Sequence, residues 1–482
     1  MTYNDTPLIK AIHNYKKNNP TSFHVPGHKN GLFFHESIYK QFEGALGFDV
    51  TELAGLDDLH APTGAISEAQ KKAANFYKAK ETFFLVGGST VGNLAMIYGA
   101  FNRGDTVFVQ RNSHKSVFHA LEIAGVVPIL LTPEFDQYTE LPIGISEETL
   151  VEALHDYPEA KGLVLTYPNY YGVSIDLKAT ITYAKRHRLL VLVDEAHAAH
   201  YAVGSPFPTS TLNLGADVVV QSAHKMLPAL TMSSFLHIND KLSDYIRHSI
   251  KEALTMFQSS SPSYLLMASL DGARSYAEAL SKEEINQVLA GVQEFKKELT
   301  TIKQIKIVNW PDAYLCDPLK VTIRTTTNLT GFQLQDMFMK HNLYPELADD
   351  KHVLLVCGLG VSELPFTHLH ALRQSLEQYE VIEEVSSNSF QNIKMNSQKL
   401  ELSSVELRRV PKKRVHFEEA VDAISAEAVI PYPPGIPIVL PGERITKQTV
   451  EQIEKLIAAG ATFQTEQEVK DVLVVDSEDS YE

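Results

Sequence analysis

Two cysteines, Cys316 and Cys357, in 482 residues leave no material for a disulfide framework or a cysteine-rich metal site. Basic charge is short as well. Lys and Arg number 43 against 59 Asp and Glu, a net charge of −16. That balance argues against non-specific nucleic-acid binding, which needs a basic surface, and is compatible with cationic substrates. The basic run RRVPKKR at 408–414 is flanked by Glu401, Glu406, Glu418 and Glu419, so it reads as a solvated face. No apolar run approaches the roughly 20 residues of a membrane span. The opening stretch, MTYNDTPLIKAIHNYKKNNP, has no apolar signal core. The dipeptide Gly-Lys is absent, so no P-loop can be written. We find no internal repeat. These absences lead us to expect a cytoplasmic protein in a reducing setting, with neither a nucleic-acid nor a membrane partner.

What is present is an ordinary globular composition, 44% apolar and 21% charged. The length calls for two or more packed domains. Residues 1–65 read as an arm and linker: a short helix from Pro7 to Lys17, then the loop FHVPGHKNG. From 66 to 280 apolar strands alternate with helical stretches. The strand candidates are Thr82–Val86, Thr106–Gln110, Val127–Leu131, Gly162–Thr166, Leu189–Val193 and Asp217–Gln221. The helical ones include Val91–Phe101, His114–Ala124 and Leu177–His187. A strand such as LLVLV, apolar without interruption, is buried on both faces. The alternation therefore predicts an α/β domain with a large, mostly parallel sheet covered by helices. After a charged helix (Lys282–Ile302) the texture changes, with strands at Leu319–Arg324 and Val353–Cys357. We expect a smaller α+β part over 281–475. Residues 384–404, rich in Ser and Asn, predict a loop, and the acidic tail over 476–482 predicts a frayed end.

Three segments at the C-terminal ends of predicted strands converge, and in open α/β sheets ligands bind there. The first is GGSTVGN at 87–93, whose small residues, hydroxyls and free amides at a helix start suit a phosphate. Alone it would equally be a Gly-rich turn with a hydroxyl cap. The second is Asp194, directly after LLVLV. A carboxylate there needs a charged or hydrogen-bonding partner. A pyridinium nitrogen is one such partner, and the pair would make pyridoxal phosphate an electron sink. His197 and His200, in HAAH, have metal-ligand spacing on a helix but no third ligand in view. The third is Ser222-Ala-His-Lys225, after the strand DVVVQ. A lysine there, flanked by Ser222 and His224, suits covalent attachment of a carbonyl cofactor beside its phosphate. A lone lysine would be a solvated loop residue; this one lies 31 residues after Asp194 and beyond the Gly-Ser-Thr loop. His114 opens a helix after the strand TVFVQ and offers a flat ring.

Together these segments resemble the bacterial ornithine/lysine/arginine decarboxylases, pyridoxal-phosphate enzymes of fold type I, in their short Gram-positive form. The resemblance runs over most of the chain. It is carried by FHVPGHKNG (23–31), LDDLHAPTG (56–64), GGSTVGN, RNSHKS (111–116), VDEAHAAH (193–200), QSAHKMLPALTMSS (221–234), SSSPSYLLMASLD (259–271) and YPPGIPIVLPGE (432–443). It implies the aminotransferase-like fold, a homodimer or higher even oligomer, and a small amino-acid substrate. By position it implies that Lys225 carries the cofactor and Asp194 meets its ring nitrogen. Ser89, Thr90, Ser222 and His224 would touch the phosphate, and His114 would stack on the ring. Ser260 and Ser261 would reach the neighbouring subunit's phosphate. His197 stands where some relatives carry an aromatic residue, a departure that leaves ring packing and substrate preference open. Lys225 and His224 are both plausible donors of the proton returned to Cα. The implied reaction is decarboxylation of arginine, lysine or ornithine to a di- or polyamine precursor, with no metal. Asp57, Asp58 and Glu443 are candidate readers of the distal cation. An aminotransferase or β-eliminating lyase would share the cofactor site; an aminotransferase would want a small-domain arginine, and Arg324 and Arg373 stand in no motif. A decayed binding protein is disfavoured by the intact Asp194 and Lys225.

Overall fold

The computed structural model describes residues 5–360, 366–382, 397–432, 435–464 and 470–476. Its centre is an eight-stranded sheet, for which we label β1 (Glu81–Leu85), β2 (Thr106–Gln110), β3 (Val127–Leu131), β4 (Gly162–Thr166), β5 (Leu190–Asp194), β6 (Val218–Gln221) and β7 (Ser234–Ile238). The spatial order is β1-β7-β6-β5-β4-β2-β3, with Ser397–Lys399 at the β3 edge. The five strands from β6 to β3 are parallel. β7 runs antiparallel to both β1 and β6. Sequence reading missed β7, and the reason is physical: only the one-turn helix Ala223–Met226 and a loop separate it from β6, so it returns antiparallel and breaks the alternation of strands with long helices.

The continuous apolar strands are buried as their texture predicts: every residue of β4 and β6 is enclosed. The helix after β1, Gly88–Ala100, lies flush on the sheet at Gly92 and against the helix Asp244–Phe257 at Gly99, because both positions lack a side chain. A Cβ on Gly92 would meet Leu85 and Val220 at 2.7 Å, and one on Gly99 would meet the backbone of Ile250 at 2.7 Å. That close approach brings the start of the helix to the C-terminal edge of the strands. The helix Pro7–Lys17 buries Leu8 and Ile12 completely. It is pinned where fully buried Arg274 meets Asp5, Asp271 and Glu278.

Beyond the helix Lys282–Leu299, whose start is closed by a Ser281/Glu284 capping box, a four-stranded antiparallel sheet holds Lys320–Thr325 and His352–Val356 at its centre. A further apolar cluster around Phe417, Ile445, Ile453 and Val472 builds the C-terminal part. The expected loop over 384–404 is corrected in its described portion. Ser397–Lys399 pairs with β3, because its backbone groups complete an otherwise open sheet edge, and Ser404–Leu407 is helical behind a Ser403/Glu406 capping box. Residues 383–396 and 477–482 lie outside the described residues. Among the described residues no helix is long and apolar enough to cross a membrane.

Candidate active site

One cavity at the C-terminal ends of β4 and β5 is lined by Ser89, His114, Thr166, Pro168, Tyr170, Asp194, Ala196, His197 and Lys225. Asp194 closes β5 and is 4% exposed. Its Oδ2 accepts from Asn93 Nδ2 at 2.8 Å and its Oδ1 from the Ala196 amide at 3.1 Å. Asn93 is fully buried and also donates to Ser116 Oγ at 2.9 Å. The motif GGSTVGN contains it, but sequence alone assigns it no role. Its signal was an amide set in the apolar helix GNLAMI, where only a polar partner would keep it.

At one end of the cavity Ser222 Oγ donates to Ser89 Oγ at 2.8 Å. The helix Gly88–Ala100 begins here without a side-chain cap, behind Gly87; the amide of positive-φ Gly88 donates to the Met232 carbonyl at 2.9 Å, which leaves the next amides of the first turn to meet an anion. Thr90, one position on, is exposed. His224 sits beside this end, its Nδ1 3.1 Å from the Ser233 carbonyl. Burial pulls its pKa below the usual imidazole range.

At the other end Lys225 Nζ lies 3.1 Å from His197 Nε2 and 5.5 Å from the centre of the Tyr170 ring. Burial lowers the Lys225 pKa, and the negative charges of Asp194 and Glu346 oppose that. His197 is 5% exposed; burial, then the two lysines Lys225 and Lys320, hold its pKa well below the ordinary value. His114 caps the helix Lys115–Ala124, accepting from the Ser116 amide, and burial pulls it down to about 4. Both rings are therefore neutral at physiological pH.

The C-terminal part closes over His114. The Lys115 amide donates to the Gly435 carbonyl at 3.2 Å, and a Cβ on Gly435 would press His114 Nε2 at 3.2 Å. Arg111 donates to the carbonyls of Pro437 and Ile438 and pairs with Glu443 at 2.9 Å. Glu443 is thus engaged by Arg111 and by the Leu440 amide. Asp57 accepts the amides of Asp58, Thr63, Gly64, Ile66 and Ser67, and Asp58 accepts that of His60. These three carboxylates hold their own loops, which leaves them poorly placed to read a cation. Ser260 and Ser261 are exposed and do not line the cavity of their own chain. His197 and His200 take different partners: His200 faces Asp317 at 3.0 Å, both fully buried. Arg324 packs on Tyr138 and Arg373 pairs with Glu377.

Sequence comparison bears on this geometry directly. The profile of the Orn/Lys/Arg decarboxylase major domain matches residues 6–364, and that of the family's C-terminal domain matches 381–466. The chain belongs to the Orn/Lys/Arg decarboxylase family. It is 44% identical over 477 residues to the uncharacterized protein YaaO of Bacillus subtilis, covering 97% of each. It is 33% identical to the arginine decarboxylase of the same organism, covering 96% of each. The constitutive lysine decarboxylase of Escherichia coli shares the fold, with a TM-score of 0.80 at 19% identity, over 98% of this chain and 82% of that one. This chain is accordingly a decarboxylase of the Orn/Lys/Arg family, dependent on pyridoxal phosphate and built on the fold type I architecture. The residues present fit that cofactor. A buried amine, a buried carboxylate with lone pairs to spare and an uncapped helix start with paired serines line or border one cavity. Sequence reading also passed over Thr166, Tyr170, Lys320 and Glu346. Thr166, which ends β4, and Tyr170, in YPNYYG directly after it, carried a usable signal by standing at a strand end; Lys320 and Glu346 carried none.

Proposed function

We propose that this basic amino acid decarboxylase removes the α-carboxylate of arginine, lysine or ornithine and so supplies an amine for polyamine formation. The observation that supports it is the meeting of Lys225, Asp194 and His197 in one cavity beside the negative charge of Glu346. Glu346 is exposed, yet its charge opposes the lowering that burial imposes on Lys225, Lys320 and His224 alike. A carboxylate so placed favours a cation at the site. We assign it the distal ammonium or guanidinium of the substrate.

When bound, the cofactor supplies an electron sink for the carbanion left by CO₂. The chain's residues do the rest. Lys225 Nζ would hold the cofactor covalently. Asp194, fixed by Asn93 and the Ala196 amide, would keep its ring nitrogen protonated. Ser89, Thr90, Ser222 and His224 would hold the phosphate with amides of the helix start. His114, neutral and flat, would border the ring, and His197 stands at the Lys225 end. The proton returned to Cα comes from Lys225 or His224. Ser260 and Ser261, exposed in the single chain, serve the partner's site in a homodimer. The exposed Phe23, Leu32 and Phe33 of the arm supply apolar surface for that interface. The division into an arm over 1–65, a cofactor domain over 66–280 and a C-terminal part over 281–475 is proposed with this reading.

The test is product identification with pyridoxal phosphate and each of the three amino acids. One of agmatine, cadaverine or putrescine should form, and Glu346→Gln should raise KM for that substrate roughly tenfold or more while changing kcat less. No amine from any of the three would overturn the reading.

A further inference from the structure

Behind the cavity lies a second buried lysine. Lys320 begins a strand of the smaller sheet, is 5% exposed, and sends its Nζ to within 2.9 Å of His197 Nδ1. The same Nζ donates to the Tyr170 carbonyl at 2.7 Å. Its path is kept open by Gly172, at positive φ, where a Cβ would strike Lys320 Cδ at 2.6 Å. His197 thus has a lysine on each ring nitrogen: Lys225 on Nε2, Lys320 on Nδ1.

Hydrogen-bond directions limit this row. An ammonium only donates, and a neutral imidazole donates from one nitrogen and accepts at the other. With His197 neutral, one lysine is the cation and the other the free amine. A proton on Nδ1 fits charge at Lys225; a proton on Nε2 fits charge at Lys320. We propose that Lys320 is a positioning residue of the site: through the His197 ring it takes up the proton that Lys225 must shed to react, and returns it. A proton passes from Lys225 Nζ to His197 Nε2 as another passes from His197 Nδ1 to Lys320 Nζ. The total charge is unchanged and the ring changes tautomer. An ammonium has no lone pair to attack a carbonyl, so such an exchange produces the reactive amine without moving charge to solvent.

The surroundings suit the transfer. Asp194 and Glu346 favour the charge at Lys225. Asp317, with fully buried His200 against its carboxylate, and again Glu346, favour it at Lys320. Burial, and then whichever lysine carries the charge, keeps His197 neutral. Burial brings Lys320 down to about 7, near the pH at which a proton acceptor must work.

The inference rests on Lys225 being the cofactor lysine, and one experiment separates the two claims. The full-length protein, freed of cofactor, is exposed to pyridoxal phosphate across a pH series. The product is trapped with borohydride and the labelled lysine mapped by mass spectrometry. Label on Lys225 supports the cofactor assignment; label on Lys320 overturns both claims. With Lys225 labelled, the relay predicts that Lys320→Met moves the pH midpoint of capture up by about one unit, since Lys225 loses both its proton acceptor and a competing positive charge. Lys320→Arg, a permanent cation, should leave the midpoint at or below the wild-type value. In a His197→Phe background Lys320→Met should shift it by much less. An unchanged midpoint in Lys320→Met, an equal rise in Lys320→Arg, or an undiminished shift in the His197→Phe background would each overturn the relay and leave the cofactor assignment standing. Should Lys320→Met fail to fold, the wild-type protein labelled with ¹⁵N-histidine decides. His197 exchanging between its two neutral tautomers supports the relay, and one fixed tautomer between about pH 6 and 9 overturns it.

Discussion

Asp194 and Glu195 are neighbours in the chain, both buried, and they face two different regions of the molecule. Glu195 points away from the cavity and is 0% exposed. Its Oε1 accepts from the amide and hydroxyl of Thr211, and its Oε2 from Ser210 Oγ and Gln221 Nε2. Every bond it makes comes from its own fold. Asp194 has one protein donor on each oxygen and looks into a cavity beside a buried amine. The contrast recurs among the lysines. Lys185 closes on Asp217 at 2.5 Å and is spent there, whereas Lys225 and Lys320 share an imidazole. A buried charge whose partners are complete is structure. One with bonding capacity left over, lining a cavity, is waiting for a ligand.

The comparison breaks most readily at the carboxylates. Asp194→Asn should lower kcat on the order of 100-fold or more, because the amide cannot hold a ring nitrogen protonated. Glu195→Gln should change kcat less than roughly tenfold. Equal losses in steady-state kinetics would erase the distinction.

Glu195 should instead appear in stability. Burial lifts its pKa from 4.5 to about 7. A carboxyl whose pKa is raised by folding stabilises the fold while protonated, and that contribution is lost as pH climbs from the unfolded value to the folded one. The loss amounts to roughly 3 kcal/mol between about pH 4.5 and 7. Urea unfolding at several pH values should therefore show the wild type losing stability relative to Glu195→Gln over that window. A constant difference would contradict the account.

A smaller effect is expected from Asn93→Ala. It leaves Asp194 in place with one donor fewer, a roughly tenfold loss in kcat, with the fold's melting temperature lowered by only a few degrees. A kcat matching the wild type would mean that the Asn93 hydrogen bond does no orienting.

The same comparison explains what sequence could show. The β-strands β2 to β6 were legible because strands enclosed on both faces must be apolar throughout, and Asp194 stood out as the charge that ends one of them. Ser89, Ser222, His224 and Lys225 were legible as small and polar residues at strand ends. β7 was not, because its place in the sheet depends on a return connection rather than on its own pattern. Lys320 and Glu346 were not, because they act on the site from the smaller sheet without lining its cavity, 95 and 121 residues after Lys225, and nothing local marks them. Asp57 and Glu443 misled for the converse reason. Their carboxylates sit in distinctive motifs, and the structure shows them holding backbone amides and Arg111.

The central claim is that Lys225, sharing one cavity with Asp194 and the serine-lined anion end, makes this site a decarboxylase. It is tested most directly by supplying arginine, lysine and ornithine labelled with ¹³C at the carboxylate, in the presence of pyridoxal phosphate, and following the label by mass spectrometry. The account predicts labelled CO₂ and the matching amine in equal amounts from at least one of the three, and neither from Lys225→Ala. Label retained in a keto acid, or labelled CO₂ released equally well by Lys225→Ala, would contradict it.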